Sequence, residues 1–190
     1  MKTVVYFVRH AESDRTVHDD RPRPLTAKGV MDSLLVTNFL KDKNIEIILS
    51  SPYRRAVDTI KGFAESIGKE IALDEAYRER EIGIWVDDIK SFIERQWADF
   101  SYKLDFPNSE SLNDVQTRST MALQKIIKDY EGKNIVIGTH GNTLATIINY
   151  FDDDYDYKDF KLTGSLMPWV VKMEFDGNVY KNYESIDLFR

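Results

Sequence analysis

Two histidines and two arginines of this sequence follow predicted strands, where a rigid backbone could position them for chemistry. Arg9 and His10 come directly after the first hydrophobic run, Arg55 lies just beyond the second, and His140 follows a later one. An arginine presents a planar fork of donors to phosphate or carboxylate oxygens, and a positioned histidine supplies a nitrogen nucleophile. If the four side chains converge, they would bind a tetrahedral dianion and could attack it.

Each of these clusters also has an ordinary structural explanation when it is taken alone. A histidine at a strand end is more often structural than catalytic, and an arginine at a helix start usually lies in solvent. The occurrence of three such clusters, each after a strand, favours a functional interpretation. Because ligands of parallel α/β sheets gather beyond the carboxyl ends of the strands, the three clusters should meet at one edge of the sheet.

The composition excludes several classes of chemistry and of partner. The 190 residues include 26 lysines and arginines, 32 aspartates and glutamates, 3 histidines and no cysteine, for a formal net charge of −6. Without cysteine there can be no disulfide, no thiolate zinc site and no cysteine nucleophile. The negative charge argues against nucleic-acid and anionic-membrane partners, and no apolar run approaches the roughly 20 residues that span a bilayer. A cytoplasmic protein is the expectation.

The hydrophobic pattern predicts strands that alternate with helices. Near-continuous apolar runs at 3–8, 45–49 and 134–138 are typical of strands buried on both faces. Two further runs, 169–175 and 179–184, flank an Asp-Gly-Asn turn and predict a C-terminal hairpin. The expected fold class is α/β, a three-layer α/β/α sandwich with a mostly parallel mixed sheet and an antiparallel tail. The length suits one domain, residues 1–190.

The first helix shows both a start signal and a predicted packing face. Thr26 is a residue type that caps helix N-termini, so the helix is expected to begin directly after it. Its apolar face is predicted from four residues at helical spacing, Met31, Leu34, Leu35 and Phe39.

Four motifs together resemble the histidine phosphatase superfamily, which is also called phosphoglycerate mutase-like. They are Arg-His-Ala-Glu-Ser from position 9, Ser-Ser-Pro-Tyr-Arg-Arg-Ala from 50, Tyr-Arg-Glu-Arg-Glu from 77 with a glycine and a tryptophan soon after, and Gly-Thr-His-Gly from 138. The resemblance runs from the first strand to the final hairpin. It implies a mixed α/β sheet flanked by helices, and an enzyme that uses neither a metal nor a cofactor.

The resemblance also implies a role for each matching residue at the strand ends. His10 corresponds to the nucleophile that accepts the phosphoryl group. Arg9 and Arg55 correspond to arginines that bind the phosphate, and His140 corresponds to the second histidine of the phosphate pocket. In this arrangement the arginines and His140 would stabilise charge on the phosphoryl oxygens during transfer.

Further site residues come from the same resemblance. Glu79 corresponds to the general acid and base, and Glu81 is a nearby rival for that role. Ser13 stands where the family often has a phosphate-binding hydroxyl, and Thr16 keeps a hydroxyl where an asparagine is common. Gly141, the last residue of the Gly-Thr-His-Gly motif, is also expected to contact the phosphate.

The segment 79–111 is expected to form a small helical lid inserted within the domain. Its aromatic residues are explained equally well as the core of the lid and as a surface for substrate. Five arginines near the motifs are open between substrate contact and surface charge: Arg15, Arg21, Arg23, Arg78 and Arg80.

Departures from the family pattern favour a phosphatase over a mutase. The mutases typically show Glu-Arg-His-Tyr-Gly where this chain has Glu-Arg-Glu-Ile-Gly at 79–83, and they typically carry a larger insert. The expected reaction is hydrolysis of a phosphomonoester, in a small phosphorylated metabolite or a phosphopeptide, through a phosphohistidine on His10. The alternatives are a cofactor-dependent phosphoglycerate mutase and a non-catalytic module that binds a phosphorylated ligand. The retained histidines, arginines and Glu79 argue against the module.

Overall fold

A six-stranded mixed sheet organises the computed structural model, which describes residues 1–190. The strands are β1 (Lys2–Arg9), β2 (Ile47–Ser50), β3 (Ala72–Leu73), β4 (Asn134–Thr139), β5 (Trp169–Asp176) and β6 (Val179–Ile186). The helices are α1 (Ala27–Leu40), α2 (Arg54–Ser66), α3 (Ile89–Ala98), α4 (Leu112–Asp129), α5 (Gly141–Phe151) and α6 (Tyr157–Thr163), with a 3₁₀ turn at Glu75–Tyr77.

The strand order is β3-β2-β4-β1-β5-β6, with a parallel half and an antiparallel half. β1 to β4 are mutually parallel, whereas β5 runs antiparallel to β1 and pairs with β6 as a hairpin. The α/β class, the mostly parallel sheet and the antiparallel tail predicted from the sequence are confirmed. β1 and β4 are central neighbours, so their carboxyl ends lie side by side.

Burial on both faces explains the near-continuous apolar sequence of β1. Successive side chains of a strand point to opposite faces of the sheet. Val5 and Phe7 therefore pack in one core cluster, together with residues of α4 and α5, while Tyr6 and Val8 pack in a second cluster with α1 and α2. Fully burying one such side chain stabilises the fold by about 1.5–3 kcal/mol, so the strand that precedes the candidate site is firmly anchored.

The packing face of α1 differs from the one predicted. The helix begins after Thr26, whose hydroxyl accepts a hydrogen bond from the Gly29 N–H, as expected. Of the four predicted residues, Leu35 and Phe39 are half-buried and Phe39 packs against the core, but Met31 and Leu34 are mostly exposed. The fully buried positions are Gly29, Val36, Thr37 and Leu40. At Gly29 the helix lies directly against the backbone of Glu12, which rotates the docking face toward these residues.

The segment 79–111 contains one helix, α3, and several of its aromatic side chains belong to the core. Phe92 is buried, and Trp97 stacks on Phe160 of α6 with 5.4 Å between ring centroids. Trp85 is about half exposed and stacks on His18 at 4.0 Å. Whether the segment moves as a lid stays a prediction.

None of the six helices combines enough length with enough apolar character to cross a membrane.

The close contact at Gly29 supports a prediction about stability. A Cβ at Gly29 would overlap the carbonyl oxygen of Glu12, in the loop that continues from His10. We expect Gly29→Ala to lower the free energy of unfolding by about 1–3 kcal/mol, as overpacking typically does. Gly62→Ala is the matched control, because the added methyl there would meet only the Thr37 hydroxyl, at 3.1 Å. Equal stabilities of the two variants in urea unfolding would contradict this account of helix docking.

Candidate active site

His10 and His140 lie next to each other because of the register between β1 and β4. Arg9 pairs with Thr139 at the last position of the two strands, and the His10 N–H donates to the Thr139 carbonyl at 3.0 Å. The ring centroids of His10 and His140 are 5.2 Å apart. Both residues are buried. The strand ends therefore bring the two histidines together, as the sequence predicts.

The contacts of His10 define which ring nitrogen carries its proton. Nδ1 lies 2.7 Å from the carbonyl oxygen of Ala11, which can only accept a hydrogen bond, so the proton is on Nδ1. Nε2 then carries no proton, and its lone pair accepts from Nε–H of Arg55 at 3.1 Å. Burial first, and then the positive charge of Arg55, lower the pKa of His10 well below its usual value. A neutral imidazole with an available Nε2 is a competent nucleophile.

His140 is oriented by Ser51, a residue that follows β2. The Ser51 hydroxyl oxygen accepts from the Tyr53 N–H and lies 2.8 Å from Nε2 of His140. The direction of this bond depends on the tautomer of His140: with the proton on Nδ1, Nε2 accepts from the Ser51 hydroxyl, and this is the tautomer we assign. That Nδ1 is buried and has no partner. Burial, followed by the charge of Arg55 and the neighbouring His10, lowers the pKa of His140 well below its usual value.

Arg55 occupies the first turn of α2 and is almost completely buried. Besides its bond to His10, it donates from Nη1 to the backbone carbonyl of Asp20 at 2.6 Å, and the Asp20 carboxylate lies 3.3 Å away. The same carboxylate pairs with Arg23 at 2.8 Å. Asp20 therefore holds two arginines near His10, and Arg23 contributes to the low pKa of that histidine. The sequence analysis expected Arg55 at the phosphate site but left Arg23 open between substrate contact and surface charge.

Arg9 has a structural role in addition to the one predicted for it. Its Nη1 donates to the carbonyls of Thr163, Gly164 and Leu166, at 3.2, 3.0 and 3.2 Å, and so ties the end of α6 to the strand end. Its Nε is buried without a partner. A Cβ on Gly141 would stand 3.2 Å from the guanidinium carbon, so the glycine of the Gly-Thr-His-Gly motif makes room for this arginine.

Glu79 faces the same cleft and accepts three hydrogen bonds. Its carboxylate accepts from the Arg80 N–H at 2.9 Å, and from the backbone N–H and the side-chain amide of Asn142 at 3.3 Å each. Asn142 lies in the first turn of α5, where backbone N–H groups lack helical partners. The sequence analysis did not identify Asn142 as a site residue. Its position two residues after His140 was the signal that could have indicated it. Glu81 does not line the cleft, so of the two rivals only Glu79 does.

The segment that carries Glu79 is held by surrounding side chains. The hydroxyls of Thr139 and Thr143 donate to the carbonyls of Tyr77 and Arg78, at 2.9 and 2.7 Å. Arg118 donates to the carbonyl of Ala76 at 2.7 Å. Glu79 is therefore presented by a backbone that β4, α4 and α5 fix in place.

Glu110 adds an ionic anchor beneath that segment. Its carboxylate pairs with Arg78 and with Arg118, each at 2.8 Å, and accepts from the Glu81 N–H at 2.9 Å. The Glu110 backbone N–H in turn donates to the Glu81 carbonyl at 2.7 Å. Although burial opposes it, the hydrogen bonds and charge of Arg118 hold the pKa of Glu110 below its usual value. Arg78 is thus a structural residue of the loop.

Arg80, which the sequence left open, is buried beside Glu79. Its Nη1 donates to Gln96 of α3 at 2.6 Å and to Asn142 at 3.3 Å, and its guanidinium lies 5.2 Å from the centre of the Phe92 ring. Arg80 therefore links α3 to α5 and fixes the amide of Asn142 so that its NH₂ group faces Glu79.

Ser13 and Thr16 make no contact with this cluster. Ser13 is half-buried in an isolated bridge with Leu25, and its hydroxyl forms no hydrogen bond. Thr16 is exposed, and its hydroxyl donates to Asp14 at 2.7 Å. Neither residue lines the cleft, and their role in phosphate binding stays a prediction.

A cleft of about 310 Å³ opens at this cluster. Its lining includes Arg9, His10, Glu79, Gly141 and Asn142 from the strand ends and α5, and its other walls come from α3 and α6. A separate groove of about 200 Å³ between α4 and α5 contains none of the predicted site residues.

Comparison with known proteins agrees with this geometry. A family model of the histidine phosphatase superfamily (branch 1) matches residues 5–181. A protein of Hydrogenobacter thermophilus named "Putative phosphoserine phosphatase 2" is 30% identical over 156 residues, 76% of each chain. "Probable phosphoglycerate mutase GpmB" of Shigella dysenteriae serotype 1 is 27% identical over 76% of this chain and 73% of its own. The structure of phosphoserine phosphatase from Entamoeba histolytica in complex with 3-phosphoglyceric acid superposes with a TM-score of 0.76 at 20% identity, covering 99% of this chain and 100% of that one.

The two lowered histidine pKa values predict how stability depends on pH. In an unfolded chain these histidines titrate at about pH 6.5. Because their folded pKa values are lower, the unfolded chain binds more protons below that pH, and the free energy of unfolding falls as the pH falls. Each histidine contributes up to about 1.4 kcal/mol per pH unit between about pH 6.5 and pH 5.

Urea unfolding over this range measures the effect. His140→Gln and His10→Gln should each reduce the slope, by about half if the two contributions are equal. The carboxylates with lowered pKa values, such as Glu110, act at lower pH and leave this window clear. A slope that neither substitution changes would show that the histidines are not buried in neutral form.

Proposed function

The chain belongs to the histidine phosphatase superfamily, and we propose that it is a metal-independent phosphatase that hydrolyses phosphomonoesters through a phosphohistidine on His10. The observation that carries the proposal is the state of His10, a buried neutral imidazole in the lining of the cleft, whose Nε2 accepts from Arg55 and whose ring centroid lies 5.2 Å from that of His140. The substrate is a small phosphorylated metabolite in preference to a phosphopeptide, since the cleft of about 310 Å³ lies between two helices.

In the first step, the phosphoryl group of the substrate moves to His10. The Nε2 lone pair attacks phosphorus, an N–P bond forms, and the bond from phosphorus to the ester oxygen breaks with its electron pair on that oxygen. Arg55 now donates its Nε–H to Nε2, so the incoming phosphate must take over this donor before attack. Arg55 thereby changes its hydrogen-bond acceptor from Nε2 of His10 to an oxygen of the phosphoryl group that Nε2 attacks.

The surrounding cations and N–H donors stabilise the charge on the phosphoryl oxygens. Arg55 supplies a guanidinium, Arg9 has a buried Nε without a partner, and His140 has a buried Nδ1–H without a partner. Preorganised donors in a water-poor site contribute several kcal/mol of transition-state stabilisation. The two arginines supply positive charge, and His140 supplies a neutral N–H donor, where other phosphatases use metal ions; this supports the metal-independent part of the proposal.

Glu79 carries out proton transfer in both steps. In the reacting state Glu79 is protonated: its carboxyl group gives that proton to the departing ester oxygen, and the resulting carboxylate then takes a proton from the water that attacks the phosphohistidine. Inorganic phosphate leaves and His10 is regenerated with its lone pair. The hydrogen bonds from Asn142 and Arg80 hold the carboxylate at the cleft. Glu79 is the one acidic residue in the cleft lining.

The sequence around Arg80 favours a phosphatase over a mutase. Relatives of this chain carry names of both kinds, so family membership alone does not separate the two activities. Glu81 and Ile82 stand where the mutases typically have His-Tyr. The guanidinium of Arg80 is buried against Gln96 and Phe92 and does not line the cleft. We place the enzyme in the cytoplasm, as the sequence predicts.

Hydrolysis of an aryl phosphate tests the nucleophile and the metal independence together. Wild-type protein should hydrolyse p-nitrophenyl phosphate at the same rate with and without EDTA, and His10→Ala should lose at least about 10³-fold in kcat, since the covalent route is removed. Chelator-sensitive turnover would contradict the metal-independent mechanism. Activity of His10→Ala equal to that of wild type would contradict the nucleophile.

A comparison of leaving groups tests Glu79. Glu79→Gln should lower kcat for an alkyl phosphate such as glycerol phosphate by about 10²–10⁴, because the alkoxide must be protonated as it departs. The loss should be smaller for p-nitrophenyl phosphate, whose leaving group needs no proton. Glu81→Gln is the matched control and should leave both rates near those of wild type. Equal losses for both substrates, or a larger effect at Glu81, would assign the proton transfer elsewhere.

A further inference from the structure

The cleft at His10 has two walls that the proposed chemistry does not use. One wall is the start of α3 and the other is α6. The side chains that line these walls are Ile89, Lys90 and Ile93 from α3, and Tyr157, Phe160 and Lys161 from α6. Each wall therefore pairs apolar side chains with one lysine.

The charges that line the cleft do not balance. Arg9, Lys90 and Lys161 are basic, whereas Glu79 is the one acidic residue, and its carboxylate is already bonded to three N–H groups. The whole chain, by contrast, has a net charge of −6. A phosphoryl group at His10 would use Arg9, which leaves the two lysines without a function in the reaction.

Neither lysine is neutralised by a neighbouring carboxylate. Asp88 and Asp159, the nearest acidic residues along the two helices, accept hydrogen bonds from the Ser91 and Asp156 N–H groups instead. Glu94, one turn beyond Lys90, forms no ion pair. The Nζ atom of Lys161 lies 5.5 Å from the centre of the Tyr157 ring, and both lysines are exposed residues.

We propose that this cleft selects phosphomonoesters whose leaving group carries an apolar body and a second anionic group, such as a carboxylate. The apolar body packs between Ile93 and Phe160, and the anionic group lies between Lys90 and Lys161. The proposal rests on the proposed function, because hydrolysis at His10 places the phosphoryl end of the substrate. It names a substrate class that the catalytic residues alone leave open.

A pair of matched substrates tests this selection. The substrates are 4-carboxyphenyl phosphate and 4-carbamoylphenyl phosphate, which have similar shapes and differ by one negative charge. The measured quantity is the ratio of their kcat/KM values in wild type, divided by the same ratio in the Lys90→Met/Lys161→Met variant. This double ratio cancels the intrinsic difference between the two leaving groups.

The expected double ratio is about 10, since partly exposed ion pairs contribute modestly and a tenfold change corresponds to about 1.4 kcal/mol. The ratio should shrink in high salt because exposed charges are screened. The carbamoyl substrate should be hydrolysed equally by both proteins. Lys158→Met is the control, because Lys158 lies on α6 outside the cleft lining and should leave the preference unchanged.

The outcomes separate this proposal from the proposed function. A double ratio near 1, with both substrates hydrolysed in a reaction that His10→Ala abolishes, would overturn the anionic subsite and leave the phosphatase intact. An equal loss of preference in Lys158→Met would also overturn it, because the effect would then be a general one of surface charge. Failure of wild type to hydrolyse either substrate, or hydrolysis that does not need His10, would count against the proposed function itself.

Discussion

The parallel pairing of β1 with β4 is the constraint on which the candidate site depends. Its register ends at Arg9 and Thr139, so the next residue of each strand is a histidine and the two rings must share one space. β2 adds to this edge through the Ser51 N–H, which donates to the Gly138 carbonyl at 2.8 Å. A side chain at Gly138 would crowd the Ser50 hydroxyl, so the glycine permits this close approach.

Placing the site at buried strand ends has an electrostatic consequence. Charging an imidazole there is costly because it is removed from water and lies near arginines, so both histidines are held neutral. The positive charge of the site is carried instead by Arg9 and Arg55, which cannot lose their protons at physiological pH. A local cationic site thus exists within a chain whose net charge is −6, and the proposed nucleophile is a different residue from those that carry the positive charge.

The sequence predicted the parts of the site that depend on strand ends, and missed those that depend on packing. His10, Arg55 and His140 could be located because strand periodicity and parallel topology determine where strand ends meet. The predicted apolar face of α1 was wrong at Met31 and Leu34, because the contact of Gly29 with the Glu12 backbone outweighs the hydrophobic pattern there. Asn142 was not recognised, and the role of Arg80 was left open, because both roles arise from contacts between elements far apart in sequence, which no local pattern records.

The central claim is that His10 becomes phosphorylated on Nε2 during turnover. Trapping the phosphorylated protein in alkali, and testing whether acid removes the phosphoryl group, examines this claim most directly. Rapid quenching of the protein in alkali during hydrolysis of an aryl phosphate, followed by mass spectrometry and phosphorus NMR, should reveal one phosphoryl group on His10, bonded at Nε2, that is lost on acidification. The same treatment of His10→Ala should show none. Turnover by wild type with no phosphorylated residue at any time point, or with the phosphoryl group on a different side chain, would contradict the account.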